Sequence, residues 1–503
     1  MKKLLLSFIF ILFSFISFSQ SAVLQLYPPI VVAGGSTYSS IKPRIALVND
    51  SIPIIMWGKP SPAGKIFVSK WNGTSFTLPL QVSPSALNTY TNANDGPNIA
   101  AKGDTVFVTY FSMAGVITKI YLNSSYDAGT TFSDTVRVDN QYPTSGKYAY
   151  SPFVAIAPGG NPFMCYETST STLALPEQLF NKSLDGGLSF SAEINANTAA
   201  PGEPCECCPP SITLKDSMVF MLYRNNMSNI RDIYCAISSD YGNTFPTAVR
   251  MDYNNWVING CPSQGPEAYI WNDSLVATFM SDPGSFARIN IGTLNTSTLQ
   301  FGTNYYVDTN LTGLVVQRHP TIAGNGDTIG IAWEDTRNGN YDCFISVSLN
   351  GTSGFANTIR ISDSVTGNQS TPHIAYHNGY FHITYRNEAT NQVIYRKAKI
   401  VGTLGAEEIP ENNISVTVYP NPFAEEATLR ITNIGELRIE DLSLQVYDLL
   451  GNKVEPFVIR NSDSFVIRRG NLPSGIYIYQ ITSPSPVGDG RGEVISCGKI
   501  SIQ

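Results

Sequence analysis

Ser125-Tyr126-Asp127-Ala128-Gly129-Thr130-Thr131-Phe132 decides the fold, because the pattern Ser-x-Asp-x-Gly-x-Ser/Thr-Phe returns twice more. The other copies are Ser183-Leu184-Asp185-Gly186-Gly187-Leu188-Ser189-Phe190 and Ser238-Ser239-Asp240-Tyr241-Gly242-Asn243-Thr244-Phe245. A fixed period of about 50 residues means stacked copies of one small sheet unit. Each copy reads as a turn. Asp127, Asp185 and Asp240 can accept bonds from the backbone N–H groups of a tight loop, the Gly supplies positive φ, and the Phe anchors the loop in the core.

The rest of the repeat is visible once these turns are placed. A Pro followed by a short apolar strand occurs at Pro43, Pro97, Pro152, Pro210, Pro266, Pro320 and Pro372. A second strand follows each and ends in an aromatic: Trp57, Tyr110, Tyr166, Tyr223, Phe279, Trp333 and Tyr385. Third strands follow again, such as Lys65 to Ser69 and Val393 to Arg396, and degenerate turns lie at Trp71 to Phe76, Thr293 to Phe301 and Ser348 to Phe355. The count is seven, so the expectation is an all-β, seven-bladed β-propeller, with six blades as the alternative if the first repeat is a cap. The seventh repeat ends near Ile400 without a fourth strand, and Ala22 to Tyr27 can supply it and close the ring.

At 503 residues, with 14% charged and 11% aromatic residues, 40 Gly and 31 Pro, the composition suits a turn-rich extracellular β protein. A net charge of −7 argues against nucleic acid or an anionic membrane as partner. Met1-Lys2-Lys3 followed by an apolar run to Phe18 reads as a secretory signal peptide over residues 1–19, too short for a membrane span. No later segment is apolar enough to anchor the mature chain in a membrane. The expected organisation is signal peptide 1–19, propeller 20–400, an acidic linker 401–414 and a small β-sandwich 415–503.

That last segment carries Val418-Tyr419-Pro420-Asn421-Pro422, Val446 to Val454, Leu472 to Ile481 and Gly498 to Gln503 in order. These motifs resemble the type A sorting domain of the type IX secretion system of Bacteroidota. The resemblance implies handling by that machinery and a secreted or outer-surface location. The alternative reading is an accessory carbohydrate-binding sandwich.

The three turns, in turn, resemble the Asp-box of sialidase-like (BNR-repeat) propellers. In such a blade the turn between strands three and four lies on one rim, and the opposite rim surrounds the mouth of the central channel. Repeat phase places on that mouth Gly58, Phe111, Glu167, Arg224, Met280, Glu334 and Arg386, together with Lys42, Gly96, Ser151, Pro209, Gly265, His319 and Thr371. The resemblance implies an arginine triad gripping a sialic acid carboxylate, for which Arg224, Arg318 and Arg386 are available. It implies also a Tyr–Glu nucleophile and an acid, for which Tyr166, Glu167, Glu334 and Asp335 are the candidates. Trp256, Arg231, Arg337 and His319 complete the candidate binding rim. The chain departs from that family in its seventh blade and in its first: Pro43-Arg44-Ile45-Ala46 stands where the family has Arg-Ile-Pro. Trp333-Glu334-Asp335-Thr336-Arg337 with Asp342 also fits a structural pairing of Asp and Arg across a loop, the favoured reading of those residues.

The least generic feature is Pro204-Cys205-Glu206-Cys207-Cys208-Pro209-Pro210 ahead of the fourth repeat, matched by Gly260-Cys261-Pro262 ahead of the fifth. Equivalent places in adjacent repeats bring the four cysteines together. Disulfides are the first expectation in an exported protein, with Cys207 or Cys208 bonding to Cys261. Four thiolates holding Zn²⁺ or Cu⁺ are the alternative; otherwise no cofactor is expected. Cys165, Cys235 and Cys343 read as small buried hydrophobes. The functional expectation is a propeller that binds an extracellular glycan and hydrolyses it in sialidase-like fashion. The alternatives are a non-catalytic propeller binding glycan or protein, and a metal-dependent role for the cysteines.

Overall fold

The computed structural model describes residues 21–35, 38, 40–60, 63–112, 118–139, 146–282, 284, 286–309, 311, 313–355, 357–363, 366–404, 415–432, 442–448, 452–454, 457–460, 464–483 and 493–503. The expected signal peptide, 1–19, and most of the expected linker lie outside these residues. The chain divides into two compact units, Met1–Gly405 and Ala406–Gln503.

The larger unit is all-β and built of antiparallel meanders. The first is Ile41–Val48, Ile52–Lys59, Lys65–Lys70 and Leu80–Gln81. The next four begin at Asn98–Lys102, Lys147–Ile156, Ser211–Lys215 and Glu267–Trp271. Two more, beginning at Gln317–Asn325 and Gln369–His377, share a nine-stranded sheet. What joins these two is the N-terminal strand Ser21–Leu26. It pairs along its length with Gln392–Leu404, and its pairing with the sixth meander is the single Ser21–Ser348 position. The last meander therefore receives its outer strand from the start of the chain, and its own third strand runs to Leu404, beyond Ile400.

Ring closure is visible in the core. A separate buried apolar cluster fills each gap between consecutive meanders, from Val48, Met56 and Val108 between the first and second onward. The series ends with Ile45, Trp57, Val393 and Tyr395 between the last and the first. The first strands touch in the same cyclic order, with Gln369–His377 packing back on Ile41–Val48. Such clusters need a large apolar side chain on both faces of every second strand. All seven strand-end aromatics meet that demand: Trp57, Tyr110, Tyr166, Tyr223, Phe279, Trp333 and Tyr385 are each 0% exposed. Closure by the N-terminal strand is the arrangement of a propeller.

The three repeated turns form as their residues dictate. Asp127 Oδ1 accepts the Thr130 and Thr131 amides, each at 2.9 Å, and its Oδ2 takes the Thr131 hydroxyl at 2.7 Å. The Asp185 and Asp240 carboxylates repeat the pattern. In the degenerate copies Asn72 and Asn295 take the same role. These bonds hold the Asp185 and Asp240 carboxyls down at about 2, through the Ser189 and Ser183 hydroxyls for one and the Ser238 hydroxyl and Thr244 amide for the other. Each box glycine is also where one meander meets the previous one. Gly129, Gly187 and Gly242 have φ of 76°, 92° and 77°, and an added Cβ would meet Ile54, Leu122 and Phe180 respectively.

The smaller unit has two four-stranded sheets. One is Ser415–Tyr419, Glu426–Thr432, Ser464–Arg468 and Phe457–Arg460; the other is Lys453–Val454, Ser443–Tyr447, Gly475–Ser483 and Glu493–Ile502. Leu429, Phe465 and Ile467 of the first share one core with Val446, Tyr479, Ile481 and Ile500 of the second. Among the described residues no helix is long and apolar enough to cross a membrane.

Substituting Gly242→Ala adds a Cβ 2.2 Å from the Phe180 ring at a left-handed φ, so destabilisation of about 2–4 kcal/mol is expected in urea unfolding. Gly73→Ala, also at positive φ but facing open space, should cost distinctly less. Equal losses would contradict this account of the turns.

Candidate functional site

One rim of the ring gathers polar side chains, and a backbone device aims them. Lys42, Ser151, His319 and Thr371 each precede a proline, have φ between 51° and 55°, and sit where the pairing register of strands one and two shifts. These are β-bulges, which re-aim a side chain at a strand end. Lys42, Ser151 and His319 thereby line one axial cavity of about 50 Å³, together with Gly96, Pro209 and Gly265 at the corresponding positions. Six of the seven pre-proline residues expected on a common rim meet there, all but Thr371.

The cavity is polar and its charges are mutually compensated. Lys42 Nζ donates to the Asn94 carbonyl at 2.8 Å. Burial, with the Arg44 guanidinium beside it, pulls the Lys42 ammonium down to about 7, against the pull of Asp95 and Glu267. Burial likewise pushes the Asp95 and Glu267 carboxyls up, opposed by Lys42 and Arg44 respectively. His319 Nε2 lies 3.0 Å from Asn94 Oδ1, and its Nδ1 lies 3.1 Å from Glu334. Burial works against the Glu334 charge, but His319, Arg318 and the Thr371 amide overcome it and hold the carboxyl low.

The expected arginine triad does not assemble. Arg224 is 0% exposed, and its guanidinium donates to the carbonyls of Gln264, Arg231 and Met280 while stacking 5.1 Å from the Trp256 ring. Buried among these carbonyls, it is not presented to a ligand. Arg318 pairs with Glu334 at 2.5 Å and lies over the Tyr341 ring. Arg386 bonds Asn391 at 3.0 Å and faces Glu388. Tyr166 and Glu167 are neighbours on one strand, so they point to opposite faces. Tyr166 is buried in the gap between the second and third meanders, with Glu193 3.2 Å from its hydroxyl. Glu167 instead accepts from Tyr150 at 3.3 Å, and burial, with Cys205 nearby, pushes its carboxyl well up. Asp335 receives Trp333 Nε1 at 2.9 Å and pairs with Arg337, which also holds Asp308 at 2.8 Å. That is a structural brace. Phase placed these residues at the right end of their strands but could not report the depth of the loops covering them.

The cysteine segments do converge. Strand Glu203–Pro204 pairs with Met218–Asn226, and the Cys205 amide bonds the Arg224 carbonyl at 2.9 Å. The bridge between Ile230 and Val257 carries the second segment alongside. Cys207 and Cys261 form a disulfide with Cα atoms 6.4 Å apart. Cys205 Sγ lies 3.2 Å from Cys208 Sγ and 3.5 Å from Cys261 Sγ. The sulfurs of Cys205, Cys207 and Cys261 lie within 4.8 Å of one another, a set able to coordinate Zn or Cu. Arg231, expected on the binding rim, is instead buried here, donating to Cys205 Sγ at 2.8 Å and pairing with Glu206 at 2.9 Å. Hydrogen bonding to Cys208 lowers the Cys205 thiol to about 7 against its burial, with Arg231 and Arg224 assisting. Cys165, Cys235 and Cys343 are buried within strands.

Beside this cluster opens a second cavity, of about 360 Å³, that sequence reasoning missed. Its walls are Tyr90, Phe111, Tyr148, Tyr150 and Leu173, with Ser169, Thr170 and Ser171, and the carboxylates Asp95 and Glu206. Cys207 reaches its edge. The Tyr90 and Phe111 rings lie 5.3 Å apart, tilted by 44°, and the Tyr150 hydroxyl bonds Ser169 at 2.8 Å and the Glu206 carbonyl at 2.9 Å. The signal was present in Tyr148-Ala149-Tyr150, whose period of two puts both rings on one face at the strand end nearest the mouth.

Residues 417–487 match the family of secretion system C-terminal sorting domains. The smaller unit thus carries a sorting domain of the type IX route, which supports export to the surface or beyond. No curated protein matches the chain. Among solved structures it is similar to a protein of unknown function from Dyadobacter fermentans, at 9% identity over 75% of this chain and 99% of that one, with a TM-score of 0.45. It is similar also to a puromycin hydrolase, at 11% identity over 77% of this chain and 58% of that one, TM-score 0.46. An α-L-arabinofuranosidase of Fusarium graminearum shares 13% identity over 76% of this chain and 98% of that one, TM-score 0.39. Likeness at this level says nothing about what the chain binds.

The Lys42 environment has a pH signature. Its folded pKa, about 7, lies below its ordinary 10.5, so between these values the unfolded chain holds more protons and stability rises with pH. Urea midpoints should therefore climb from pH 7 toward about pH 10 more steeply in the natural protein than in Lys42→Met. Parallel profiles would contradict the placement of a buried ammonium there.

Proposed function

We propose that the chain is an exported seven-bladed propeller that binds a neutral extracellular carbohydrate in the aromatic cavity beside the cysteine cluster. The seven inter-meander cores support the blade count, and the shared core of the two C-terminal sheets supports a sorting-domain sandwich over residues 415–503. The bounds we propose for the rest are a signal peptide over 1–19, the propeller over 20–400 with its last strand reaching Leu404, and a linker to 414.

The observation that carries the binding reading is the chemistry of the cavity wall. Aromatic faces suit the C–H faces of a sugar ring, while Asp95, Glu206 and the Ser169 to Ser171 hydroxyls offer acceptors to its hydroxyl groups. Among the described residues, no Lys, Arg or His lines it. Arg231 pairs with Glu206, one of the lining carboxylates. A carboxylate-bearing sugar would meet two carboxylates and, among the described lining residues, no cation. Neutral sugars are the better fit, and sialic acid is disfavoured.

A hydrolytic reading has one specific observation behind it: Tyr150 contacts Glu167, and Asp95 lies near both. A tyrosine nucleophile must give up its proton, however, and burial together with Glu167 raises the Tyr150 hydroxyl far above its usual value. Binding is the stronger reading.

A glycan array probed with the mature protein should show neutral glycans bound and sialylated ones not. Tyr148→Ala and Tyr90→Ala should each weaken the interaction roughly tenfold, a loss of about 1.4 kcal/mol. Leu184→Ser, on a turn of the opposite rim, should leave it unchanged. Selective capture of sialylated glycans would overturn the reading.

A further inference from the structure

We infer that Cys205, Cys207, Cys208 and Cys261, in their thiol form, hold one Zn²⁺ in a closed four-thiolate site that ties the approach to the fourth blade to the approach to the fifth. The inference adds Cys208 to the three-sulfur set and replaces the disulfide by a metal in the working state. The distances carry it. Cys208 Sγ lies 3.2 Å from Cys205 Sγ and 3.6 Å from Cys261 Sγ, and Cys205 to Cys261 is 3.5 Å. A tetrahedral zinc with bonds of about 2.3 Å to sulfur spaces its ligands by about 3.8 Å; Cys205, Cys208 and Cys261 already stand near that spacing, and Cys207, once parted from Cys261, swings in as the fourth ligand. A single disulfide accounts for Cys207 and Cys261 but leaves Cys205 and Cys208 crowded against it as buried free thiols.

The surroundings are those of a metal thiolate. Arg231 Nη1 donates to Cys205 Sγ at 2.8 Å, the Ser263 amide donates to Cys261 Sγ at 3.3 Å, and the Ser263 hydroxyl reaches Cys207 Sγ at 3.8 Å. Such donors orient ligands and spread their charge. Four thiolates around Zn²⁺ carry a net charge of −2. Arg231 and Arg224, both buried, are the guanidinium groups that bear on these sulfurs. Zinc rather than copper follows from ligand number and geometry, because a tetrahedral set of four sulfurs suits zinc or iron; iron in place of zinc in the elemental analysis would overturn the assignment. All four positions are filled by protein, so the metal is structural and carries no water for catalysis.

Loading is an acid–base exchange without redox change: Zn²⁺ and four thiols give the tetrathiolate and four protons. The disulfide form and the zinc form exclude each other, since Cys207 and Cys261 cannot be both bonded together and anionic. Cys207 also borders the aromatic cavity, so the zinc braces one of its walls.

The test uses the full mature chain purified under a phosphine reductant. Elemental analysis should find one zinc per chain, and cobalt exchanged into the site should show the intense visible bands and sulfur charge-transfer absorption of a tetrahedral tetrathiolate. Chelation should lower the thermal midpoint, and added zinc should restore it, which separates metal loss from misfolding. Cys208→Ser should weaken zinc binding at least tenfold, whereas Cys235→Ser, a buried thiol elsewhere, should not. The inference fails if the reduced protein takes up neither zinc nor cobalt, if copper occupies the site in zinc's presence, or if the cobalt spectrum reports oxygen ligands. Sugar binding is read separately from the tyrosine variants, so failure of the zinc site and failure of the binding reading are distinguishable.

Discussion

Everything in the larger unit depends on closing a ring whose two ends are the two ends of its chain segment. Ser21–Leu26 must find Gln392–Leu404, hundreds of residues later, before the last meander has an outer strand. A pairing this distant rewards folding only after the intervening sheets have formed, which favours slow, cooperative assembly. Once closed, the ring leaves no gap without an apolar cluster, and the core between the last and first meanders is made like the others. The strand-end aromatics are the currency of that closure: a fully buried Trp or Tyr contributes more apolar area than any aliphatic residue.

Closure also explains why the axis is polar. The first strands converge there with their bulged pre-proline residues, and Lys42, Ser151 and His319 have nowhere else to point. Buried charges are tolerated only when matched, and Lys42, Arg44, Asp95 and Glu267 are matched within one small cavity. The axial cavity is thus consumed by its own compensation. Open space lies to the side, where the loops of the second and third meanders and the cysteine segment leave the larger aromatic cavity open.

How much of this was legible in the sequence differs by level. The turns, the prolines and the aromatics gave the period, and the period identified the rim shared by Lys42, Gly96, Ser151, Pro209, Gly265 and His319. It also brought Cys205 and Cys208 to Cys261 across sequence separations of 56 and 53. Function residues were harder because period encodes angle and height, not cover. Arg224 stands at the expected height, yet three carbonyls surround its guanidinium. Tyr166 and Glu167 looked like a pair because they are adjacent, but strand geometry separates adjacent side chains. The true partner of Glu167, Tyr150, comes from the neighbouring strand, and only pairing register reveals it.

The claim on which the rest stands is that the N-terminal strand is an integral part of the ring. Native-state hydrogen exchange of the mature protein tests it most directly. The account expects the amides of Ser21–Leu26 to exchange together with those of Gln392–Leu404 and Ile52–Lys59, through one shared opening that involves the whole unit. Rapid, independent exchange of Ser21–Leu26 while the other strands stay protected would contradict it.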